Sequence, residues 1–113
     1  MDSKQDFYQN VFEVVALIPE GRVTSYGAIA KYLGARRSSR LVGWAMNASH
    51  NRLPKIPAHR VVNRQGLLTG KMHFSTPTEM EELLTREGHK IVDNQILNIE
   101  EVFWDPNLAL SLD

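Results

Sequence analysis

The stretch from Arg22 to Ala48, RVTSYGAIAKYLGARRSSRLVGWAMNA, most narrows the folds open to this chain. It holds two short helical patterns with a stop between them. In the first, Thr24 or Ser25 is placed to cap, Ile29, Ala30 and Leu33 face inward, and Gly34 ends the run. In the second, Ser38 or Ser39 caps SRLVGWAMNA, with Leu41, Trp44, Ala45 and Ala48 expected on one side and Arg40, Gly43 and Asn47 on another. The basic turn Ala35-Arg36-Arg37 joins them. Upstream, Phe7, Val11, Val14, Val15 and Ile18 recur at helical spacing over residues 4–18, until Pro19-Glu20-Gly21 breaks the pattern. Two short helices joined by a tight turn and backed by a longer one make a helix-turn-helix. Its outward stripe combines a long cation with a glycine, which lets a helix lie close against a nucleic-acid groove.

Downstream, residues 59–70 read as an extended piece, an Asn63-Arg64-Gln65-Gly66 turn and a second extended piece, a small wing. TPTEMEELLTREG predicts a helix with Thr76 or Thr78 as cap, acidic residues early, Arg86 late and Gly88 as terminator. Ile91-Val92 and Ile96-Leu97 are candidate strands, Trp104 is expected to pack, and the last few residues to be loose. The expected fold is mainly α with a short β wing, a winged helix-turn-helix. A chain of 113 residues suffices for one core, so residues 1–113 are expected to form a single domain.

Charge gives the first functional hint. Formal net charge is zero, yet residues 20–73 carry ten basic side chains against Glu20 alone, a formal +9, and the remainder carries three basic and twelve acidic groups, −9. Such segregation points to a polyanion partner for the middle segment; the alternative is that acidic helices cover a basic core element. Cysteine is absent, which removes disulfides, thiolate metal sites and cysteine nucleophiles. His50, His59, His73 and His89 show no two-ligand helical spacing, so neither metal nor cofactor is expected. MDSKQDFYQN lacks the character of a signal peptide, and VFEVVALI, interrupted by Glu13, is far short of the ~20 residues of a membrane span. A soluble, intracellular protein with no membrane partner is expected.

KIPAHRVVNRQG, residues 55–66, has the density of an active site around a mute centre. A nucleophile there would be a thiol, hydroxyl or amine beside a base such as His59, and Ala58 supplies none of these.

Taken together, IPEGRVTSYGAIA, SSRLVGWAM, IPAHRVVNRQGLLTG and REGHK, in this order across residues 7–90, resemble the DNA-binding and active-site domain of the O6-alkylguanine-DNA alkyltransferases. The signature of that family is Pro-Cys-His-Arg-Val. With Ala58 in the place of the reactive cysteine, the chain resembles the alkyltransferase-like proteins, which bind alkylated guanine without transfer and hand the lesion to nucleotide excision repair. The resemblance implies duplex DNA containing O6-alkylguanine as ligand, excision-repair proteins as partners, a monomer, and no catalysis.

It also implies roles. Tyr26 crowds the phosphate 3′ to the lesion and helps rotate the nucleotide outward. Arg40 fills the gap left by the extruded base, while Ser39, Gly43 and Asn47 present a slim surface to a minor groove only ~6 Å wide. Backbone carbonyls of Ala58 and Val61 accept the exocyclic amino group of guanine, for which alanine suffices. His59 and Glu87 match the pair that deprotonates the cysteine and, with no thiol, serve structure; Arg60 pairs with an acidic group and holds the pocket wall. The loop Lys71-Met72-His73-Phe74 departs from the family pattern, with Met72 expected to line the alkyl pocket as a soft surface. The family's hinge asparagine falls near Ser49 or His50, and Trp44 stands where the family has a small residue; it is expected to pack inward, the alternative being a DNA contact. Rival readings are a winged-helix transcription regulator, an enzyme using His59 and Glu87, and an alkyltransferase whose cysteine has been substituted.

Overall fold

The structure, a computed structural model, describes residues 3–35 and 38–110. Arg36 and Arg37 of the expected turn, and the terminal residues expected to be loose, lie outside the described residues.

Helix α1 spans Ser3–Val15, ending earlier than the apolar spacing predicts. Its last regular bond runs from Ala16 N to Phe12 O; Leu17 and Ile18 then donate to Val14 and Val15, three residues back. The tightened turn still delivers Ile18 to the core, which is why the spacing looked helical throughout. Helix α2 spans Tyr26–Tyr32, and Ser25 is its cap, with Oγ accepting from Ala28 N at 3.1 Å. Gly34, at φ +76°, follows its C-terminus.

Helix α3 spans Ser39–Ser49 and corrects the expected facing. Its buried stripe is Val42, Ala45, Met46 and Ser49, whereas Trp44 and Ala48 are exposed and Leu41 is half-buried. The opposite stripe holds Arg40, Gly43, Trp44 and Asn47 at the same helical spacing. Ser38 occupies the cap position but makes no capping bond through its side chain.

Strands β1, Thr24–Ser25, and β2, Val61–Val62, pair in parallel, Thr24 opposite Val61 and Ser25 opposite Val62. The extended piece 61–62 therefore joins β1 rather than folding back on Leu67-Leu68 as a wing hairpin. Both valines are fully buried, so the strand must run between layers. Because successive side chains point to opposite faces, Val61 enters a cluster with Val11, Val15, Ile18, Ile29 and Val42, and Val62 enters a second with Val23, Leu68, Met80, Leu84 and Ile96. Phe74 packs on both clusters. The turn preceding β2 is thereby fixed at the seam of two cores.

Helix α4 spans Glu79–Arg86 with Thr78 at the cap position, where its hydroxyl donates to Glu82 rather than accepting from the backbone. The hairpin that does form joins β3, Ile91–Val92, to β4, Gln95–Ile96, the latter shifted one residue toward the N-terminus from the expected Ile96-Leu97. Its turn, Asp93-Asn94, has φ of +50° and +67°, the two positive angles that a two-residue hairpin loop demands. Leu67 contributes a single bridge to Gln95. Two short helices end the described chain, α5 at Ile99–Val102 and α6 at Pro106–Ala109. Trp104 packs as expected: its N–H donates to Val23 O at 2.7 Å and its side chain rests on the first cluster. Asn107 Nδ2, in α6, donates to Ala28 O and straps the tail across α2. Among the described residues no helix is long and apolar enough to cross a membrane. The architecture is mainly α with small β pairings, as the sequence implied.

Candidate nucleic-acid interface

Two cavities meet at one loop. The outer one, about 440 Å³, is lined by Tyr26, Ser39, Arg40, Gly43 and Asn47, five of the residues singled out from the sequence. Trp44, Thr69, Gly70 and His73 complete it. The N-terminal placement of Tyr26 on α2 follows from the Ser25 cap, and its hydroxyl lies 3.4 Å from Thr69 Oγ1. Gly70 makes that approach possible, since a Cβ there would stand 3.1 Å from the Tyr26 hydroxyl. At Gly43 a Cβ would meet nothing within 4 Å, so this face of α3 opens on free space. Arg40 is exposed beside it.

The inner cavity, about 520 Å³, lies within the range of small-ligand sites. Ala58 and His59 form its floor, with Ser49 and His50 from the end of α3, and Phe74 and Glu79 opposite. His50 and Phe74 meet edge to face with centroids 4.5 Å apart. Burial lowers the His50 pKa from its ordinary 6.5, assisted by His73 and Lys55 and opposed by Glu79. Of the two residues near the expected hinge, Ser49 is buried and donates to Met46 O at 2.6 Å, while His50 shapes the wall.

Beneath the floor the polar groups are locked. His59 Nε2 and Glu87 Oε2 are 2.6 Å apart. Arg60 donates to Glu87 through Nε, at 3.1 Å to each oxygen, and through Nη2, at 2.8 Å, while its Nη1 donates to Ile18 O at 2.7 Å. Gly21, at φ +82°, donates its backbone N–H to Glu87 Oε1 at 2.9 Å. One carboxylate thus ties the end of α4 to the Ala58–Arg60 turn and to the loop after α1. Burial alone would raise the Glu87 pKa; the Arg60, Gly21 and His59 bonds outweigh it and hold the group down at about 2. His59, Arg60 and Glu87 are thus bonded to one another at this position.

Of the residues expected to touch DNA or the lesion, two are not brought to either cavity. Val61 is buried in β2, and Met72 is 69% exposed, its neighbours His73 and Phe74 supplying the wall instead. The 3-10 turn Lys71–His73 explains this, because it rotates successive side chains by about a third of a turn each. His73, three residues beyond the glycine against which the Tyr26 hydroxyl packs, lines both cavities and is not among the expected site residues. Trp44 is corrected too, from core to cavity rim.

With that geometry in view, the comparisons with known proteins decide the family. A family described as "6-O-methylguanine DNA methyltransferase, DNA binding domain" matches residues 6–89. The chain belongs to this family. The alkyltransferase-like protein 1 of Schizosaccharomyces pombe is 33% identical over 105 residues, covering 89% of this chain and 96% of that relative. The DNA base-flipping protein of Escherichia coli is 44% identical over 108 residues, covering 93% and 79%. Among solved structures, S. pombe Atl1 in complex with damaged DNA containing O6-carboxymethylguanine matches with a TM-score of 0.76 at 34% identity, over 90% of this chain and 97% of that one. Mycobacterium tuberculosis OGT in complex with DNA matches at 0.63 and 36% identity, over 73% of this chain and 49% of that one. The resemblance to the alkyltransferase-like branch, in which the reactive cysteine is replaced, therefore holds, and the chain contains no cysteine anywhere.

Proposed function

We propose that this chain is a non-catalytic sensor of alkylated DNA. It binds duplex DNA with the outward stripe of α3 in the minor groove, rotates an O6-alkylguanine into the inner cavity and holds it there. Arg40 fills the vacated position, Tyr26 presses on the flanking phosphate, and Ser39, Gly43 and Asn47 keep the helix slim enough for the groove. The backbone carbonyl of Ala58, which borders the inner cavity, receives the exocyclic amino group, and the alkyl group lies toward His73 and Phe74. The held lesion marks the site for nucleotide excision repair factors. Residues 1–113 act as one unit, which Phe74, packed on both clusters, supports, and the chain acts as a monomer.

The observation that carries this is a fully braced pocket around a residue with no chemistry. His59 and Arg60 are both committed to Glu87, and Ala58, the residue before them on the wall of the inner cavity, carries only a methyl group. Flipping costs a few kcal/mol of stacking and pairing, and a nucleophile is not needed to offset it. Removing the transfer step leaves binding as the only outcome, which converts repair into display.

Matched duplexes with and without one O6-methylguanine, titrated by fluorescence at fixed moderate salt and followed by mass spectrometry of the protein, test this. Tighter binding to the lesion with unchanged protein mass is expected. Equal affinity for both duplexes, or a gain of one methyl on the protein, overturns it.

A further inference from the structure

The tryptophan on α3 has no place in the function derived so far. Trp44 is 50% exposed, a large apolar side chain that burial would stabilise and that the fold leaves in water. It is not scattered on the surface: it stands in the stripe of Arg40, Gly43 and Asn47, opposite the buried stripe Val42, Ala45, Met46 and Ser49, and lines the outer cavity with Tyr26. Gly43, next to it, presents open space rather than a packing neighbour. The segment that carries the stripe is the basic one, with a formal +9 across residues 20–73.

We infer that Trp44 is a DNA-contacting wedge, resting on the sugar edges and the adjoining base step of the undamaged flank. This rests on the duplex-binding surface proposed above and adds a non-ionic contact to it. Trp44 lies four residues beyond Arg40, a rise of about 6 Å along the helix, while successive nucleotides of a strand are about 3.4 Å apart. With Arg40 in the gap of the extruded base, Trp44 falls nearly two steps along the groove, outside the lesion itself. Apolar and aromatic side chains of minor-groove proteins act there by prying base steps apart, and an indole stacks on any base with little regard to sequence. The two side chains divide the work: Arg40 responds to the flipped base, Trp44 to the duplex whether or not a lesion is present.

The division makes the test specific. Trp44→Ala is expected to weaken binding to lesion-free and lesion-bearing duplexes alike, by about tenfold, with Trp44→Phe recovering most of the loss. Since no cation is removed, the slope of log K against log salt stays that of the parent, whereas loss of a phosphate contact lowers it by about 0.9. A second readout comes free of mutation at the site. Only Trp44 and Trp104 are tryptophans, so a Trp104→Phe protein reports from Trp44 alone, and its emission is expected to be quenched by unmodified duplex. Unchanged affinity of Trp44→Ala for unmodified duplex, or unchanged emission on binding, overturns the inference. A parent protein that binds both duplexes equally would sink the functional proposal but leave the Trp44 result on unmodified DNA standing, so the two failures are separable.

Discussion

The two sides of residue 58 are built on opposite principles. Behind it, His59, Arg60 and Glu87 are half-buried or less exposed and spend their polar atoms on one another, on Gly21 N and on Ile18 O. In front, Arg40 and Trp44 are exposed on a helix stripe that, among the described residues, joins neither apolar cluster. Polar groups already satisfied in the free protein stiffen a site and have little left for a ligand, whereas cations and aromatics held out in water on a rigid helix are what a ligand collects. On the function proposed above, the catalytic-looking residues serve as scaffold and the plain-looking outward stripe of α3 as the working surface.

Breaking the scaffold should have the largest effect. Glu87→Ala strands Arg60 beside His59 without its carboxylate, and removing one partner of a largely buried pair costs on the order of 3 kcal/mol. Urea denaturation is expected to show a lower midpoint with an unchanged slope, and DNA binding measured on the folded fraction to fall as the Ala58–Arg60 turn loosens. A variant as stable as the parent would mean that the Glu87 network is ornamental. Arg40→Ala is the converse case. Its stability should stay within about 0.5 kcal/mol of the parent, while the ratio of affinities for lesion-bearing and lesion-free duplex falls by roughly tenfold, a cost comparable with part of the flipping penalty. Equal losses on both duplexes would reduce Arg40 to a phosphate contact and leave the flipped state without a filler.

The same contrast explains what the sequence could and could not reveal. The helix-turn-helix was legible because Ser25, Gly34 and the apolar spacing of α2 act locally, and the His59–Glu87 pairing because the motifs around it resembled a known family. The facing of α3 differs from the expectation because Leu41, Trp44 and Ala48 compete with an equally regular apolar stripe at Val42, Ala45 and Met46, and the fold buries the latter. Nothing local announces the β1–β2 pair: strands of two residues have no period, and their partners are 37 residues apart in the chain, Thr24 opposite Val61. The Asp93-Asn94 turn and the Asp105-Pro106 start of α6 did carry signals, an αL-tolerant pair and a cap followed by proline, but on elements of only two and four residues. Met72 and His73 could not be ranked from sequence, because which of two neighbours faces a cavity depends on a single 3-10 turn.

The smallest predicted effect probes the scaffold from its far side. His89 is buried next to the Glu87 cluster, with Nε2 lacking a hydrogen-bond partner among the described residues. Burial lowers its pKa from the ordinary 6.5, and His59 and Arg60 push the same way against the pull of Glu87. The unfolded chain therefore takes up a proton at this position before the folded one does, and stability must decline as pH drops below about 6.5, by at most about 1.4 kcal/mol per pH unit for one proton. Glu87 acts lower down: its carboxylate, held at about 2 against an ordinary 4.5, contributes stability that is complete above 4.5 and disappears as pH falls toward 2. Denaturation measured across this range should show two acid-sensitive phases. His89→Gln is expected to flatten the upper one, leaving the share that His50 contributes through its own lowered pKa, and to spare the lower. If the upper phase is untouched, His89 takes up its proton in the folded chain as readily as in the unfolded one; if the lower phase moves as well, His89 belongs to the Glu87 lock rather than merely lying beside it.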